Sequence, residues 1–579
     1  DMAQYPNPIS LLEVTDKTTS DRVLVNGYLQ AEPIKGLTLK ANLGVDRRYD
    51  KNKSYVPNTT VAGAAKGGIA NILQRDNIDY LMELTANYTK DFGNHSLTAL
   101  VGYSYQQFNQ ESVYAGNEDF STDGFLYNNL QAGAGTKPYV NSSARKSALG
   151  SYFARANYSY LGKYLLTVTV RADGESNFHP DYRWGYFPSV SAGWRFSDEE
   201  FMKPLSSILS NGKLRASYRQ TGNSNIGNYM TDSYGVVSGW VFGNDGYMGT
   251  AITKRGNKKL TWETTSEFNI GLDLGFFDNR ISLSMEYYNR IISDLLVSNK
   301  SLPAYNEINT IAANIGKTQG RGFELTLSTV NIMNKDWTWS TDFTFYTFKD
   351  NWYERDPNWK PAAYESKKDP IRSYYSYVSD GLLQVGEKAP AWQPTLVPGQ
   401  IKLKNLYDTG TSPNVLDQYD KVNLGSQDPK CTLGLNNTLR YKNLNFNIYF
   451  YGEIGRLRGA SYYDAWIVGL GNSLTNVSQQ SLHSYTNANQ NTTVPNLIES
   501  AYDFGDYYHK KINYLRCRNI TLGYTIPVSK SIANSVRISA NVSNPFVFTN
   551  WNGVDPETDT GNFSYPNVTS FSFGIDISF

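Results

Sequence analysis

Hydrophobic and polar residues alternate over long stretches of this chain. In the final stretch, 571–579, one set of alternate positions holds Ser, Gly and Asp, and the other is entirely apolar: Phe571, Phe573, Ile575, Ile577 and Phe579. Because successive side chains of a strand point to opposite faces, this pattern predicts a β-strand with one apolar and one polar face. The apolar face could rest on the core of a soluble protein or on lipid, and one strand does not decide between them.

The same alternation recurs in hairpins whose joins are short at one end and long at the other. Tight joins fall at Pro33–Gly36, Phe92–Asn94 and Lys442–Asn443, whereas the far ends open into polar stretches such as 51–77 and 112–145. Many of the alternating segments are longer than the five or six residues usual in soluble sheets. Long strands with alternating short and long connections are typical of outer-membrane barrels, with tight periplasmic turns and long extracellular loops.

We therefore predict an all-β fold, a transmembrane antiparallel up-and-down β-barrel with about 16–17 strands in this chain. A soluble sandwich would need shorter strands and more evenly spaced loops. Residues 1–20 are predicted to be loop because Pro6 and Pro8 interrupt them. Within 352–427, the segment Ile371–Val385 could be a strand pair or a folded insertion.

Composition adds limited constraints. The chain has 579 residues, a formal net charge of +1, 14% aromatic residues and 44 tyrosines. A nearly neutral chain offers no field that would attract nucleic acid. Mean hydropathy is −0.48, and no run approaches the roughly 18 apolar residues that a transmembrane helix needs. These totals suit an outer-membrane barrel and a large secreted β-protein equally well.

A longer motif narrows the choice. The run Trp184–Met202, WGYFPSVSAGWRFSDEEFM, resembles a signature of the SusC/RagA family of TonB-dependent outer-membrane transporters. Further similar segments follow in family order, with Arg219 where the family commonly has Gly: RADGESNF at 171–178, LRASYRQTGNSNIG at 214–227, LTWETTSEFNIGLDLGFFDNR at 260–280, NIGKTQGRGFELTL at 314–327, YLRCRNITLGYTIP at 514–527 and TNWNGVDPE at 549–557. The resemblance extends over nearly the whole chain from about residue 20.

The resemblance implies active import of nutrient oligomers, oligosaccharides first and oligopeptides second. It implies a SusD-like surface lipoprotein as a lid, the TonB–ExbB–ExbD system as energy source, a dimer of such pairs, and outer-membrane lipid around the barrel. Family members also carry an N-terminal extension, a TonB box, a plug domain and about 22 strands. Residues 1–579 are therefore predicted to be the C-terminal part of the barrel, with the N-terminal remainder of the transporter as a further partner. The aromatic terminal strand 571–579 is the expected barrel-assembly signal.

Other chemistry is weakly represented. The four histidines lack metal-ligand spacing, and no nucleophile–base pattern occurs, so we predict no enzyme activity, no cofactor and no metal. Where many relatives carry an Asp-rich stretch, Asp408, Asp417 and Asp420 are too sparse for a calcium cage, and a solvated turn is expected. Cys431 and Cys517 could pair, but free buried thiols are favoured. A passive porin or surface-interaction barrel is the alternative, and a barrel enzyme ranks below it.

Aromatic residues in the long loops are the candidate substrate contacts, because indole and phenol rings can stack on the apolar faces of sugars. One loop holds Trp240, Phe242 and Tyr247, and the other candidates are Trp352, Tyr353, Trp359 and Trp392 in a second loop and Trp466 in a third. Packing within the loops, or contact with the lid, is the alternative that we favour for each of them.

Overall fold

The computed structural model describes residues 9–135, 138–242, 245–303, 306, 308, 310–407, 414–459, 479–498, 502–528, 533–551, 553, 555–558 and 565–579. Its strands are β1 (Thr15–Ile34), β2 (Leu37–Val56), β3 (Ile69–Phe92), β4 (His95–Glu118), β5 (Tyr139–Tyr160), β6 (Tyr164–Glu175), β7 (Trp184–Trp194), β8 (Leu209–Asn223), β9 (Tyr234–Phe242), β10 (Asp245–Lys254), β11 (Glu263–Phe276), β12 (Ile281–Ser293), β13 (Leu296–Ser301), β14 (Thr310–Asn314), β15 (Lys317–Met333), β16 (Trp337–Glu354), β17 (Ser373–Tyr377), β18 (Ser379–Leu382), β19 (Ile401–Leu403), β20 (Lys421–Ser426), β21 (Cys431–Tyr441), β22 (Leu444–Gly459), β23 (His509–Ile526), β24 (Ser535–Thr549) and β25 (Ser570–Ser578).

Seventeen of these strands form one antiparallel sheet, which confirms the predicted strand number: β1–β8, β11, β12, β15, β16 and β21–β25. Four two-stranded ribbons stand outside it, pairing β9 with β10, β13 with β14, β17 with β20 and β18 with β19. In the part of the chain that the structure describes, helix is confined to α1 (Val61–Ala64) and to short 3-10 turns at Ser10–Glu13, Asp123–Phe125, Leu130–Ala132, Phe196–Asp198, Glu200–Leu205, Gln418–Asp420 and Gln479–His483. None of the helices in the described ranges has the length and apolar content to cross a bilayer.

The chain divides into two compact units, the first made of Asp1–Ala192, Tyr218–Ser266 and Ile292–Ile315. In this unit β1 to β6 pair each with the next, and the register aligns one apolar row across all six strands: Leu29, Ala41, Leu84, Tyr103, Tyr152 and Ala172. Leu29, Leu84 and Tyr152 are exposed rather than packed on a core. An exposed apolar face of this kind fits contact with lipid.

The second unit comprises Gly193–Ser217, Glu267–Ile291 and Gly316–Phe579. Across β16 and β21 to β25 the register aligns an apolar row, Trp339, Leu439, Phe446, Leu522, Ala540 and Phe573, directly beside a polar row, Ser340, Thr438, Asn447, Thr521, Asn541 and Ser572. The polar row is joined by side-chain hydrogen bonds, such as Thr521 to Asn541 at 2.9 Å. Phe573 is 84% exposed, so the apolar side of the terminal strand lies against no protein interior among the described residues.

Among the described residues, buried apolar side chains form small separate clusters. In the first unit, Tyr55 packs with Ala70 and Phe120, and its hydroxyl donates to Asp123 at 2.6 Å. A second cluster in this unit surrounds Trp262, whose indole N–H donates to the Arg183 carbonyl at 2.8 Å. These contacts fasten the connecting segments to the strands that they join.

The structure corrects the predicted start of the first strand and decides between the two alternatives for Ile371–Val385. Residues 15–20 were predicted to be loop, which is wrong, because β1 already begins at Thr15 and Thr15–Ser20 pair with β2. The segment Ile371–Val385 is a folded insertion: its strands β17 and β18 belong to separate ribbons and not to the main sheet. The alternation in Ile371–Val385 fits a strand pair of the main sheet as well as a folded insertion. Only the strands with which this segment pairs distinguish the two alternatives.

Candidate functional site on the long loops

The ribbon β9–β10 brings three aromatic positions together. Trp240 and Tyr247 are direct register partners, and Phe242 is the partner of Asp245 next to the turn. By the register and the two-residue period of a strand, positions 240, 242 and 247 share one face of the ribbon backbone near its tip. Positions 237 and 248 belong to the opposite face by the same register.

The second predicted loop contains an aromatic–cationic cluster, which we call the tryptophan–arginine cluster, formed by Trp352, Arg355 and Trp359. The Arg355 guanidinium carbon lies 4.9 Å from the Trp352 ring centroid and 4.1 Å from that of Trp359. Both indoles therefore contact one cation, an attractive arrangement because the face of an aromatic ring is electron-rich. Tyr353 lies between them in sequence and is exposed. Our sequence reasoning missed Arg355; its position three residues after one Trp and four before another was the available signal.

Trp392 makes a contact of a different kind. The indole N–H of Trp392 donates to the Leu403 carbonyl at 2.8 Å, so Trp392 has a structural role in its own loop. Trp466 lies outside the described residues. The structure thus brings together Trp240 with Tyr247, and Trp352 with Trp359, as two local groups.

A compact folded module underlies the Trp392 region. Its core consists of Leu382, Ile401, Leu403, Tyr485, Tyr508, Ile512 and Trp551. The buried side chain of Gln393 accepts the Leu403 N–H at 2.7 Å and donates to the Ile401 carbonyl at 3.4 Å. Buried polar groups that are satisfied in this way hold a loop in one conformation. Gln393 therefore fixes the described loop segment around Trp392 to β19.

The predicted solvated turn around Asp417 and Asp420 is wrong for Asp420, which is fully buried. Its carboxylate accepts backbone N–H groups from Leu406 at 2.6 Å, Tyr407 at 3.1 Å and Asp417 at 2.9 Å. These donors occupy the oxygens that a cation would need. Asp408 lies outside the described residues, and within those described no cluster of three or more His, Cys, Asp or Glu residues is arranged to hold a metal.

Comparison with known proteins identifies the family. Residues 4–544 match the family described as TonB dependent receptor-like, beta-barrel. The chain belongs to this family. It is 32% identical to TonB-dependent receptor P3 of Formosa agariphila over 99% of this chain and 60% of that protein, and 28% identical to TonB-dependent receptor SusC of Bacteroides thetaiotaomicron over 99% and 57%.

A solved structure described as the RagAB peptide transporter matches with a TM-score of 0.84 and 26% identity, covering 99% of this chain and 63% of that one. These findings confirm the predicted SusC/RagA resemblance, the barrel fold and the outer-membrane location. The chain spans about 60% of the length of the curated relatives that it matches. That residues 1–579 are the C-terminal part of the barrel of a longer transporter stays a prediction.

Two segments that resembled SusC/RagA are joined in this TonB-dependent receptor barrel by a buried ion network. Arg516 of β23 donates through Nη2 to Asp555 at 2.8 Å and through Nε to Glu557 at 2.5 Å, and Arg518 donates to Glu557 at 2.6 Å. Burial works to raise the pKa of Asp555, but N–H groups of Glu557 and Thr558 and the charge of Arg516 outweigh it and hold that pKa below its ordinary value. The network fixes the β24–β25 connection against the wall of this receptor barrel.

The cysteines of this TonB-dependent receptor barrel are both free thiols: Cys517 is buried and Cys431 is half-buried. The expectation of free thiols is therefore met, whereas full burial holds for Cys517 alone. The family is a transporter family and not an enzyme class.

Proposed function

We propose that this chain is the barrel of an energy-coupled outer-membrane importer of nutrient oligomers, and that its substrates are oligosaccharides. The observation that carries the proposal is the match over 4–544 to the TonB-dependent receptor barrel family, together with a sheet whose register separates an apolar face from a face of hydrogen-bonded amides and hydroxyls. Such a polar face suits the passage of hydroxyl-rich molecules because it exchanges hydrogen bonds with them.

The two receptors reported above are named without a cargo, and one related structure is titled a peptide transporter. One feature favours sugars. The tip of the β9–β10 ribbon has three aromatic positions on one face, and aromatic rings bind the apolar faces of pyranoses. A SusD-like surface lipoprotein as lid, a TonB–ExbB–ExbD complex acting on a plug, and pairing of two such complexes complete the proposal, as the resemblance implies.

The test is uptake of fluorescently labelled oligosaccharides and oligopeptides by Gram-negative cells that express the intact transporter with its lipoprotein. We expect oligosaccharide accumulation that a protonophore abolishes, since energy coupling uses the proton gradient. The double variant W240A/Y247A should reduce accumulation at least severalfold, whereas V237A/M248A, on the opposite ribbon face, should not.

Three outcomes would contradict the proposal. Accumulation of peptides alone would exclude the sugar assignment, and accumulation that persists after the proton gradient is collapsed would indicate a passive barrel. An equal effect of the two double variants would show that the aromatic face of the ribbon has no special role.

A further inference from the structure

The tryptophan–arginine cluster holds a cation, Arg355, between two indole rings. Among the residues that the structure describes, Arg355 forms no ion pair with a carboxylate. Its Nη2 donates to the Ser366 carbonyl at 3.3 Å, and its Nε is buried without a hydrogen-bond partner. A guanidinium that is partly removed from water loses hydration, and two indole faces compensate only part of that loss. The group that would complete this environment is an anion.

The carboxylates near Arg355 are already engaged. Asp369 accepts the Ser366 N–H at 2.7 Å and also the Tyr375 hydroxyl, and Glu365 accepts the Ala362 N–H at 2.9 Å. Burial, together with the hydrogen bond to Asp369, raises the pKa of Tyr375 to about 12, so Tyr375 remains a neutral donor. The carboxylates of Asp369 and Glu365 thus serve the loop backbone and Tyr375.

The rim of the cluster adds positive charge. Lys367 and Lys368 directly follow Ser366, whose carbonyl accepts from Arg355, and both are exposed. Neither lysine is in an ion pair within the described part of the chain. Exposed lysines beside a fixed guanidinium raise the local concentration of anions and speed their association. The two indoles supply apolar ring surface at the same place.

We propose that Trp352, Arg355 and Trp359, with Lys367 and Lys368 at the rim, form a subsite for an acidic sugar unit of an oligosaccharide. The sugar carboxylate accepts hydrogen bonds from the Arg355 guanidinium, and the carbon face of the ring rests on an aromatic side chain. A guanidinium suits this ligand because its planar donors match a carboxylate in pairs. The inference rests on the proposed function and narrows its substrate class to uronate-containing oligosaccharides.

The test is isothermal titration calorimetry of the intact transporter in detergent with three probes of equal length: an oligogalacturonate, a neutral galacto-oligosaccharide and an oligoglutamate. We expect the oligogalacturonate to bind more tightly than the neutral sugar, with an affinity that falls as salt is raised. The variant Arg355→Gln should lower that affinity about tenfold or more, as expected for loss of a charge-assisted hydrogen bond. Arg355→Lys should retain part of it.

Arg372→Gln is the matched control, because Arg372 is an exposed arginine of the same loop that is already paired with Asp428 at 3.0 Å; we expect it to leave affinity unchanged. Thermal unfolding of each variant checks that it folds. If Arg355→Gln disturbs the fold, the surface variant K367Q/K368Q provides the test and should weaken oligogalacturonate binding severalfold.

Equal affinity for acidic and neutral sugars would overturn the subsite but leave oligosaccharide import intact. Equal losses in Arg355→Gln and Arg372→Gln would likewise overturn it. Binding of the oligoglutamate alone, or of no sugar at all, would reject both the subsite and the proposed sugar specificity.

Discussion

The buried ion network around Arg516 gives the most quantitative prediction. Arg516 and Asp555 are only 4% and 5% exposed at their side chains, so replacing Arg516 by Met leaves two carboxylates in a poorly hydrated site with one fewer cation. Removing one partner of a buried pair costs about 3–5 kcal/mol, because the remaining charge is uncompensated. Arg518 still contacts Glu557 at 2.6 Å, and we therefore expect the lower end of that range.

The matched control is Arg372→Met. Arg372 pairs with Asp428 at 3.0 Å, a distance close to the 2.8 Å of Arg516 and Asp555, but its side chain is 58% exposed. Exposed pairs contribute about 0.2–1 kcal/mol. The two variants make the same chemical change and differ chiefly in the burial of the site.

Hydrogen–deuterium exchange of the intact transporter measures the effect, followed in peptides that cover 555–558 and 565–569. A loss of about 3 kcal/mol corresponds to exchange faster by about two orders of magnitude, since each 1.4 kcal/mol is a factor of ten. Arg372→Met should change exchange around Asp428 by less than about fivefold. Similar changes in both variants would refute the reasoning that burial determines the strength of the Arg516 network.

The same network predicts a dependence on pH. The pKa of Asp555 lies below its ordinary value of 3.8 in the folded chain. A carboxyl group with a lowered pKa stabilises the fold at pH values above 3.8, and that contribution disappears as the pH falls through the folded-state value. Protection of 555–558 should therefore be constant from neutral pH to about pH 4 and decrease below it. Protection lost already at pH 5–6 would contradict this assignment.

Two further predictions concern packing and the membrane face. Gly322→Ala should destabilise the barrel by about 1–3 kcal/mol in denaturant unfolding, as overpacking does, because the added Cβ would lie 2.4 Å from the Tyr288 hydroxyl. The control Gly27→Ala should be neutral or slightly stabilising, because nothing lies within 4 Å of an added Cβ there. Equal effects of the two variants would contradict the packing argument. Phe573→Lys should reduce the free energy of unfolding in lipid vesicles by about 2–4 kcal/mol if the residue lies near the bilayer midplane. Ser572→Lys, on the polar face, should be tolerated. A larger loss of stability in Ser572→Lys than in Phe573→Lys would show that the polar face, and not the apolar face, contacts lipid.

Local sequence patterns indicated the strands of the main sheet and their antiparallel order. Alternation in segments such as Leu444–Tyr451 and 571–579 identified strands and both of their faces, because the period of a strand is two regardless of its neighbours. Short and long joins indicated the antiparallel order, and the strand number agreed with the observed seventeen. The motif at Trp184–Met202 carried the family resemblance that comparison confirmed.

The candidate site depended on contacts between residues that the sequence alone does not bring together. Alternation could not distinguish a main-sheet strand from the separate ribbons of the folded insertion, because both satisfy the same local period and differ only in their partners. Whether an aromatic side chain is available to a ligand was equally undetermined: Trp392 is engaged by a carbonyl eleven residues away, whereas Trp352 and Trp359 share Arg355. The Arg516 network joins residues about forty positions apart, and such long-range pairing is set by the fold of the loops, since no local pattern encodes which carboxylate an arginine meets.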